Sequence, residues 1–197
     1  MIDGGHFREA ETRTLLASGK YPCRNIEDNL ADLAAQVAAN ETGVREVGRM
    51  IDQFGLDVVQ SYMSHVQDNA EACVRRVISV LKDRAFELEL DNGECIRVVV
   101  RVNHDNGTAE IDFTGTADKN PFNYNAPLAV CYAVVLYAFR SLVGAPIPLN
   151  EGCFRPLPLI APEGSMINAT YPAAVIAGNT EVSQLMCNAL LGALGAV

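Results

Sequence analysis

Apolar residues recur at helical spacing through the first part of the chain. Asn25 is a candidate N-cap for a first helix, and Thr42 is a candidate N-cap for a second that ends at Gly55. A third apolar stripe, over residues 57–82, continues for about six turns. The pattern therefore predicts a helical region over residues 1–83.

The pattern then changes, and apolar residues alternate with polar ones in three successive segments. Turn signals rich in Asp, Asn and Gly separate these segments. They predict a three-stranded antiparallel meander over residues 85–113, with its acidic residues on a solvated face. The charged residues expected to meet across the strands are Glu87 and Glu89 on one strand and Arg97 and Arg101 on the next.

A segment that is apolar on every side follows the meander. Pro127 suits the first turn of a helix, so we predict a buried helix over about 127–142. Its length and the presence of Arg140 argue against a membrane span, which needs about 20 apolar residues. Pro156 and Pro158 confine the next extended segment to an edge or to irregular structure.

These patterns predict an α+β protein with N-terminal helices, a three-stranded antiparallel meander, a buried helix and a mixed C-terminal part. Residues 1–83 form the helical region and residues 84–197 the α+β region. The two are expected to be one contiguous piece of a larger domain.

Composition describes a soluble globular protein, with 197 residues, 49% of them hydrophobic and 20% charged. A net charge of -9 without a Lys/Arg cluster argues against a nucleic-acid partner. The six cysteines form no CxxC and have no zinc-finger spacing to histidine, so we expect no metal ligand and no disulfide. With no signal peptide or transmembrane run, the chain is expected to be cytoplasmic and not membrane-bound.

Polar residues gather at the ends of the predicted elements, where binding sites are usually built. Two asparagines precede the buried helix, and an Asn-Glu pair follows it. Asn179 or Thr180 can N-cap the last helix, with Glu181 in its first turn, where exposed N–H groups suit an anion. The alternative is that these side chains only cap helices and form turns. The candidate residues are Asp112, Asn123, Asn125, Asn150, Glu151, Asn179 and Glu181.

Several stretches of the chain form motifs. They include Asp112-Phe113-Thr114-Gly115-Thr116, Asn125-Ala126-Pro127-Leu128-Ala129, Ile147-Pro148-Leu149-Asn150-Glu151-Gly152, Ala161-Pro162-Glu163-Gly164-Ser165 and Gly178-Asn179-Thr180-Glu181-Val182-Ser183-Gln184. In these motifs, and in their order and separation, the chain resembles the hydantoinase B/oxoprolinase family over roughly residues 8–197.

The resemblance implies part of an oligomeric, multisubunit, ATP-dependent enzyme. A hydantoinase A-type ATPase subunit or domain would phosphorylate a small cyclic amide, and this part would carry the activated species to ring opening. In this setting Asn150 and Glu151 are the catalytic candidates, and the other five residues are candidates for substrate binding. ATP would enter through the partner.

Family members are several hundred residues long, so the resemblance implies an internal fragment that is inactive by itself. The family's His- and Asp-bearing N-terminal region, its expected divalent-metal site, has no counterpart here, and His6 stands in no such motif. Two alternatives stay open. One is a subunit fragment of an ATP-dependent acetone/acetophenone-type carboxylase, and the other is a non-catalytic subunit-interaction domain.

Overall fold

The structure is a computed structural model that describes residues 1–196. The chain divides into two compact units, Met1–Tyr62 and Met63–Val197. The division falls inside a helix that begins at Leu56. None of the helices over residues 1–196 is both long enough and apolar enough to cross a membrane.

The first unit consists mainly of helices. Its elements are the paired strands β1 (Ile2–Asp3) and β2 (His6–Phe7), the helices α1 (Glu9–Leu16) and α2 (Ile26–Phe54), and the start of α3 (Leu56–Ile78). Asn25 caps α2 as predicted, since its side chain accepts a hydrogen bond from the Asp28 amide at 3.4 Å. Gly55, with φ 85°, ends the helix.

The predicted break at Thr42 is wrong, because α2 continues without interruption for 29 residues. The Thr42 hydroxyl donates to the Ala38 carbonyl oxygen at 2.9 Å, a bond that a threonine makes inside a helix. The Thr42 hydroxyl is able to cap a helix, but here it forms its hydrogen bond inside one.

The second unit is built on a four-stranded sheet, which confirms the α+β class. Its strands are β3 (Arg84–Glu89), β4 (Cys95–Asn103), β5 (Thr108–Asp112) and β6 (Leu159–Ile160), in the spatial order β3-β4-β5-β6. The first three are antiparallel, as predicted. The fourth lies in the extended segment for which the sequence left an edge strand or irregular structure open, and it is parallel to β5. The Pro156 and Pro158 carbonyls accept from the Ala109 and Ile111 amides, at 3.0 and 2.8 Å, so the prolines lie at the sheet edge.

The register places Glu87 opposite Arg97, as predicted. Arg101 lies opposite Glu110 instead, and its guanidinium binds the carboxylates of Glu110 and Asp112 at 2.6 and 2.9 Å. Asp112 is only 7% exposed, so the prediction of a solvated face is wrong for this residue. Its strand is covered by β6 on one side, and Arg101 neutralises its charge on the other.

The part of α3 from Met63 onward belongs to the second unit, and two further helices, α4 (Leu128–Leu142) and α5 (Ser183–Leu194), complete it. Helices α4 and α5 pack on each other, and α5 also packs on β3 and β4. Buried residues of α4, such as Val135 and Phe139, join the core. However, Tyr132 and Tyr137 are 44% and 63% exposed. The predicted helix is therefore present with nearly the predicted bounds, but one of its faces is open.

Candidate functional site

The open face of α4 forms one wall of a groove of about 620 Å³, and α5 with the turn before it forms the other. This volume lies within the range of small-molecule sites. The α4 wall consists of Ala129, Val130, Ala133, Val134 and Tyr137. The opposite wall consists of Asn179, Ser183, Gln184, Cys187, Asn188 and Leu191.

The two walls differ in chemistry. Small side chains on α4, Ala129 and Ala133, leave room beside an apolar surface. Across from them are three carboxamides, Asn179, Gln184 and Asn188, which are exposed and make no hydrogen bond within residues 1–196. No Lys, Arg, His, Asp or Glu is among the lining residues. The groove therefore suits a neutral ligand that offers both hydrogen-bonding atoms and apolar surface.

A π-helical turn, Gly178–Val182, places Asn179 at this groove. The turn begins against the loop before α4. A Cβ atom added at Gly178 would lie 2.9 Å from the Asn125 carbonyl oxygen and 3.1 Å from the Ala126 Cα, so only glycine allows this approach. The Val182 amide donates to the Ala177 carbonyl oxygen at 2.9 Å, which gives the wide turn. Such π turns occur frequently at functional sites. The predicted capping of the last helix by Asn179 or Thr180 is wrong, because α5 begins only at Ser183.

Asn125 supports this arrangement from within the protein. Its side chain is completely buried. The carboxamide accepts from the Asn120 amide at 2.8 Å and donates to the carbonyl oxygens of Asn120, Phe122 and Ala174 at 2.9 to 3.0 Å. It therefore joins the loop before α4 to the segment before the π turn. Its hydrogen-bonding capacity is used by the fold.

Asn150 and Glu151 lie at a turn that packs on α3. The Asn150 side chain caps the short 3₁₀ helix Glu151–Cys153 by accepting from the Gly152 amide at 2.8 Å. It also donates to the Val66 and Pro148 carbonyl oxygens, at 3.5 and 3.3 Å. The Glu151 carboxylate is exposed and makes no hydrogen bond or ion pair within residues 1–196. Neither residue lines the groove.

The chain after α4 folds back along that helix. Arg140 donates to the Ile147 carbonyl oxygen at 2.7 Å, near the end of α4. Further along, the Phe154 ring lies 5.2 Å from the ring of Tyr132, two turns earlier in α4. This return carries the Glu151 turn toward the first half of α4.

The other candidates occupy separate environments. Burial raises the pKa of Asp112, but hydrogen bonds from Thr114 and the ion pair with Arg101 outweigh it, so the pKa lies below its ordinary value. A hydrogen bond from the Thr180 hydroxyl and a backbone hydrogen bond lower the pKa of Glu181. Asn123 is exposed, and its carbonyl oxygen accepts from the Asn125 amide at 2.9 Å.

Of the seven predicted residues, only Asn179 lines the groove, with Asn125 directly behind its turn. The sequence did not identify Ser183, Gln184 and Asn188. A signal was present, because Gln184 and Asn188 are four residues apart in an otherwise apolar helix and so share one face. Only the position of α4 shows that this face is one wall of a groove.

Burial disfavours the reactive form of two of the cysteine thiols. All six are free thiols. Burial raises the pKa of the Cys131 thiol to about 12 and also raises that of Cys187 at the groove. Raised values disfavour the reactive thiolate. Over residues 1–196 no three His, Cys, Asp or Glu side chains are grouped so that they could hold a metal ion.

Comparison with solved structures identifies the fold. An ATP-dependent caprolactamase from Pseudomonas jessenii superimposes with a TM-score of 0.75, over 96% of this chain and 34% of that one, at 23% sequence identity. The family model Hydantoinase B/oxoprolinase matches residues 1–197. The chain therefore belongs to the hydantoinase B/oxoprolinase family, as its motifs predicted.

Curated relatives agree with this assignment. The chain is 39% identical over 220 residues to 5-oxoprolinase 1 of Arabidopsis thaliana, covering 100% of this chain and 17% of that protein. It is 37% identical over 203 residues to 5-oxoprolinase PfmaA of Pestalotiopsis fici, covering 98% and 16% respectively. It therefore spans about one sixth of the length of these relatives.

Proposed function

We propose that this chain is part of a hydantoinase B-type subunit or domain of an ATP-dependent hydrolase that opens cyclic amides, such as a hydantoin or 5-oxoproline ring. The observation that supports this most directly is its similarity, along its whole length, to proteins named 5-oxoprolinase at 37 and 39% identity. The activity proposed is that of the larger enzyme, and the chain alone is expected to be inactive.

Within that enzyme, the groove between α4 and α5 is the surface proposed to receive the cyclic amide. A ring amide presents one N–H donor and one carbonyl acceptor beside apolar ring carbons. The carboxamides of Asn179, Gln184 and Asn188 can donate and accept, and the Ala129 and Ala133 wall can cover the carbons. The absence of charged lining residues favours the neutral amide portion of the substrate.

The remaining candidates take different proposed roles. The Glu151 carboxylate, which no other described residue binds, is the proposed proton-transfer group, and Asn150 holds its turn. Asn125 and Asp112 are proposed as positioning residues, since their polar atoms already bind within the fold. Asn123 and Glu181 stay proposed substrate contacts outside the groove, at exposed positions.

The energy source and any metal are proposed to come from elsewhere in the enzyme. A hydantoinase A-type ATPase subunit or domain would supply the phosphoryl group from ATP. A divalent metal would be held by residues beyond these 197. What this chain supplies is a neutral surface that binds and orients the amide ring.

One observation favours a second candidate, a non-catalytic subunit-interaction domain. The side chains of Asp112, Asn125 and Asn150 are all bound within the fold, as expected if they only shape it. The free carboxamides of the groove favour the enzymatic proposal, since an unused amide wall adds nothing to folding.

Reconstitution tests the proposal. The complete reading frame that contains this chain would be produced with its hydantoinase A-type partner and given ATP with hydantoin, 5-oxoproline or caprolactam. We expect ring-opened product in proportion to ADP, and none when the partner or ATP is omitted. Carboxylation of acetone or acetophenone under the same conditions, without ring opening, would assign the carboxylase branch and contradict the proposal.

A further inference from the structure

The two apolar patterns that the sequence assigned to separate helices, before and after Thr42, both lie in the single helix α2. They therefore form one continuous stripe along it. From Leu33 to Phe54, apolar residues and one polar residue, Asn40, follow one another at alternating steps of four and three positions, the heptad spacing of a coiled coil. The stretch has 22 residues, about 33 Å of helix at 1.5 Å per residue, and so three heptads. The α2 seam, as we name it, has Val37, Val44 and Ile51 at the a positions and Leu33, Asn40, Val47 and Phe54 at the d positions.

Part of this seam is open, and four of its residues, Leu33, Val37, Val47 and Ile51, are half-buried. Leu30, one heptad position earlier, is only 5% exposed, in the region where α1 packs on α2. Beyond that contact, Val44 is 69% exposed and Phe54 55% exposed. Met50 beside them is 42% exposed. A long helix with this much apolar surface is typical of an interaction site.

The charges on α2 are arranged to permit self-association. The positions that flank the seam hold small or neutral residues, Ala34, Gln36, Gly43, Gly48 and Met50, and only one charge, Glu41. In a parallel pair, this Glu41 would lie beside Gln36 of the second copy. The other charged residues from position 31 to 54 lie on the outer face. A second copy therefore meets no like charge across the seam, although the whole chain carries a net charge of -9.

Asn40 indicates that the partner helix is α2 of a second copy and that the two helices run parallel. It lies in the middle of the seam, and its side chain makes no hydrogen bond within residues 1–196. In a parallel pair with both helices in register, Asn40 would face Asn40 of the second copy, and the two carboxamides would bond to each other. Against an apolar partner helix, or in an antiparallel pair, each amide would be buried without a partner.

We propose that the α2 seam pairs with the α2 seam of a second copy of this chain, as a parallel, in-register, two-stranded coiled coil. β-Branched residues occupy all three a positions, as they do in parallel two-stranded coiled coils. Asn40 fixes the register at a cost in affinity. This proposal does not depend on the proposed hydrolase function.

Sedimentation equilibrium of the 197-residue chain tests it, at concentrations up to about 100 μM. The wild-type chain is expected to be a reversible dimer. Val44→Glu, which places a carboxylate at an a position of each strand, should raise the dimer dissociation constant by about 100-fold or more. Thr42→Glu introduces the same group on the outer face and should leave the constant within about threefold.

Circular dichroism of both variants verifies that α2 remains folded, and Asn40→Leu provides a second readout. Leucine at the central layer should tighten association or change its stoichiometry, because the polar pair that fixes a two-stranded register is lost. A wild-type chain that stays monomeric would overturn the proposal. So would a dimer that Val44→Glu and Thr42→Glu weaken equally, or one that Asn40→Leu leaves unchanged.

Discussion

Gly152 lies so close to α3 that a Cβ atom at this position would be 2.0 Å from the carbonyl oxygen of Gln67. The turn that carries Asn150 and Glu151 therefore reaches α3 only because residue 152 has no side chain. Three residues later, Arg155 binds the Asp68 and Glu71 carboxylates at 2.8 and 3.1 Å. The close approach and the ion pairs together fix the turn from which the exposed Glu151 side chain projects.

Gly152→Ala tests this contact. The added methyl group must push the turn away from the α3 backbone, and we expect a loss of at least about 2 kcal/mol in the free energy of unfolding. Gly144→Ala is the matched control, because a Cβ atom there meets nothing within 4 Å. Gly144→Ala should leave the free energy of unfolding within about 0.5 kcal/mol of the wild-type value or raise it slightly. Urea denaturation measures both, and equal effects would show that the turn yields without cost.

Asn125 and Asn123 provide a second matched pair. Asn125→Ala removes four hydrogen bonds from a completely buried side chain and leaves their partners unsatisfied. We expect a loss of about 2–4 kcal/mol in stability. Asn123→Ala, at an exposed position, should cost less than about 0.5 kcal/mol. Thermal unfolding distinguishes the two, and an unaltered melting temperature for Asn125→Ala would contradict the positioning role.

The lowered pKa of Asp112 predicts a pH dependence. A carboxyl group whose pKa is lower in the folded state stabilises the protein above its unfolded-state value, about 3.9, and this contribution disappears as the pH falls through the folded-state pKa. Asp112→Asn should therefore be less stable than the wild type near about pH 7, and the difference should shrink as the pH is lowered below about 4.

The control for this prediction is Asp52→Asn, at an exposed position of α2 that makes no ion pair. Its stability should follow that of the wild type throughout. Denaturation curves at a series of pH values provide the measurement. A constant difference between Asp112→Asn and the wild type at every pH would show that the hydrogen bonds from Thr114 and the ion pair with Arg101 do not act through the charge of Asp112.

The period of the apolar pattern was sufficient to predict the meander and α4, because alternation and helical spacing follow directly from backbone geometry. The same pattern did not distinguish a helix start from a helix interior at Thr42, where the hydroxyl suits either role. It left open whether the segment with Pro156 and Pro158 forms an edge strand, because the two residues of β6 are too few to show a period and gain their pairing only from β5.

The candidate site was predictable only in part. A loop asparagine looks the same in the sequence whether it is buried, like Asn125, or exposed, like Asn123. Their roles depend on which distant segment packs against the loop, and local sequence does not contain that information. The four-residue spacing of Gln184 and Asn188 shows in the sequence that they share one helix face. Only the structure shows that this face lies opposite the open face of α4 and lines a groove.

Gln184→Ala tests most directly whether the groove between α4 and α5 binds the cyclic amide. Gln184 is exposed and makes no hydrogen bond within residues 1–196, so its loss should leave the melting temperature unchanged. The matched control is Gln53→Ala, at an exposed α2 position outside the groove.

The measurement is kcat/KM for ATP-dependent ring opening by the full-length enzyme with its ATPase partner. Loss of one substrate hydrogen bond, at about 1–1.5 kcal/mol, should lower kcat/KM about tenfold in Gln184→Ala and leave Gln53→Ala at the wild-type value. If both variants retained the wild-type kcat/KM within about twofold, the groove would not be the amide-binding surface.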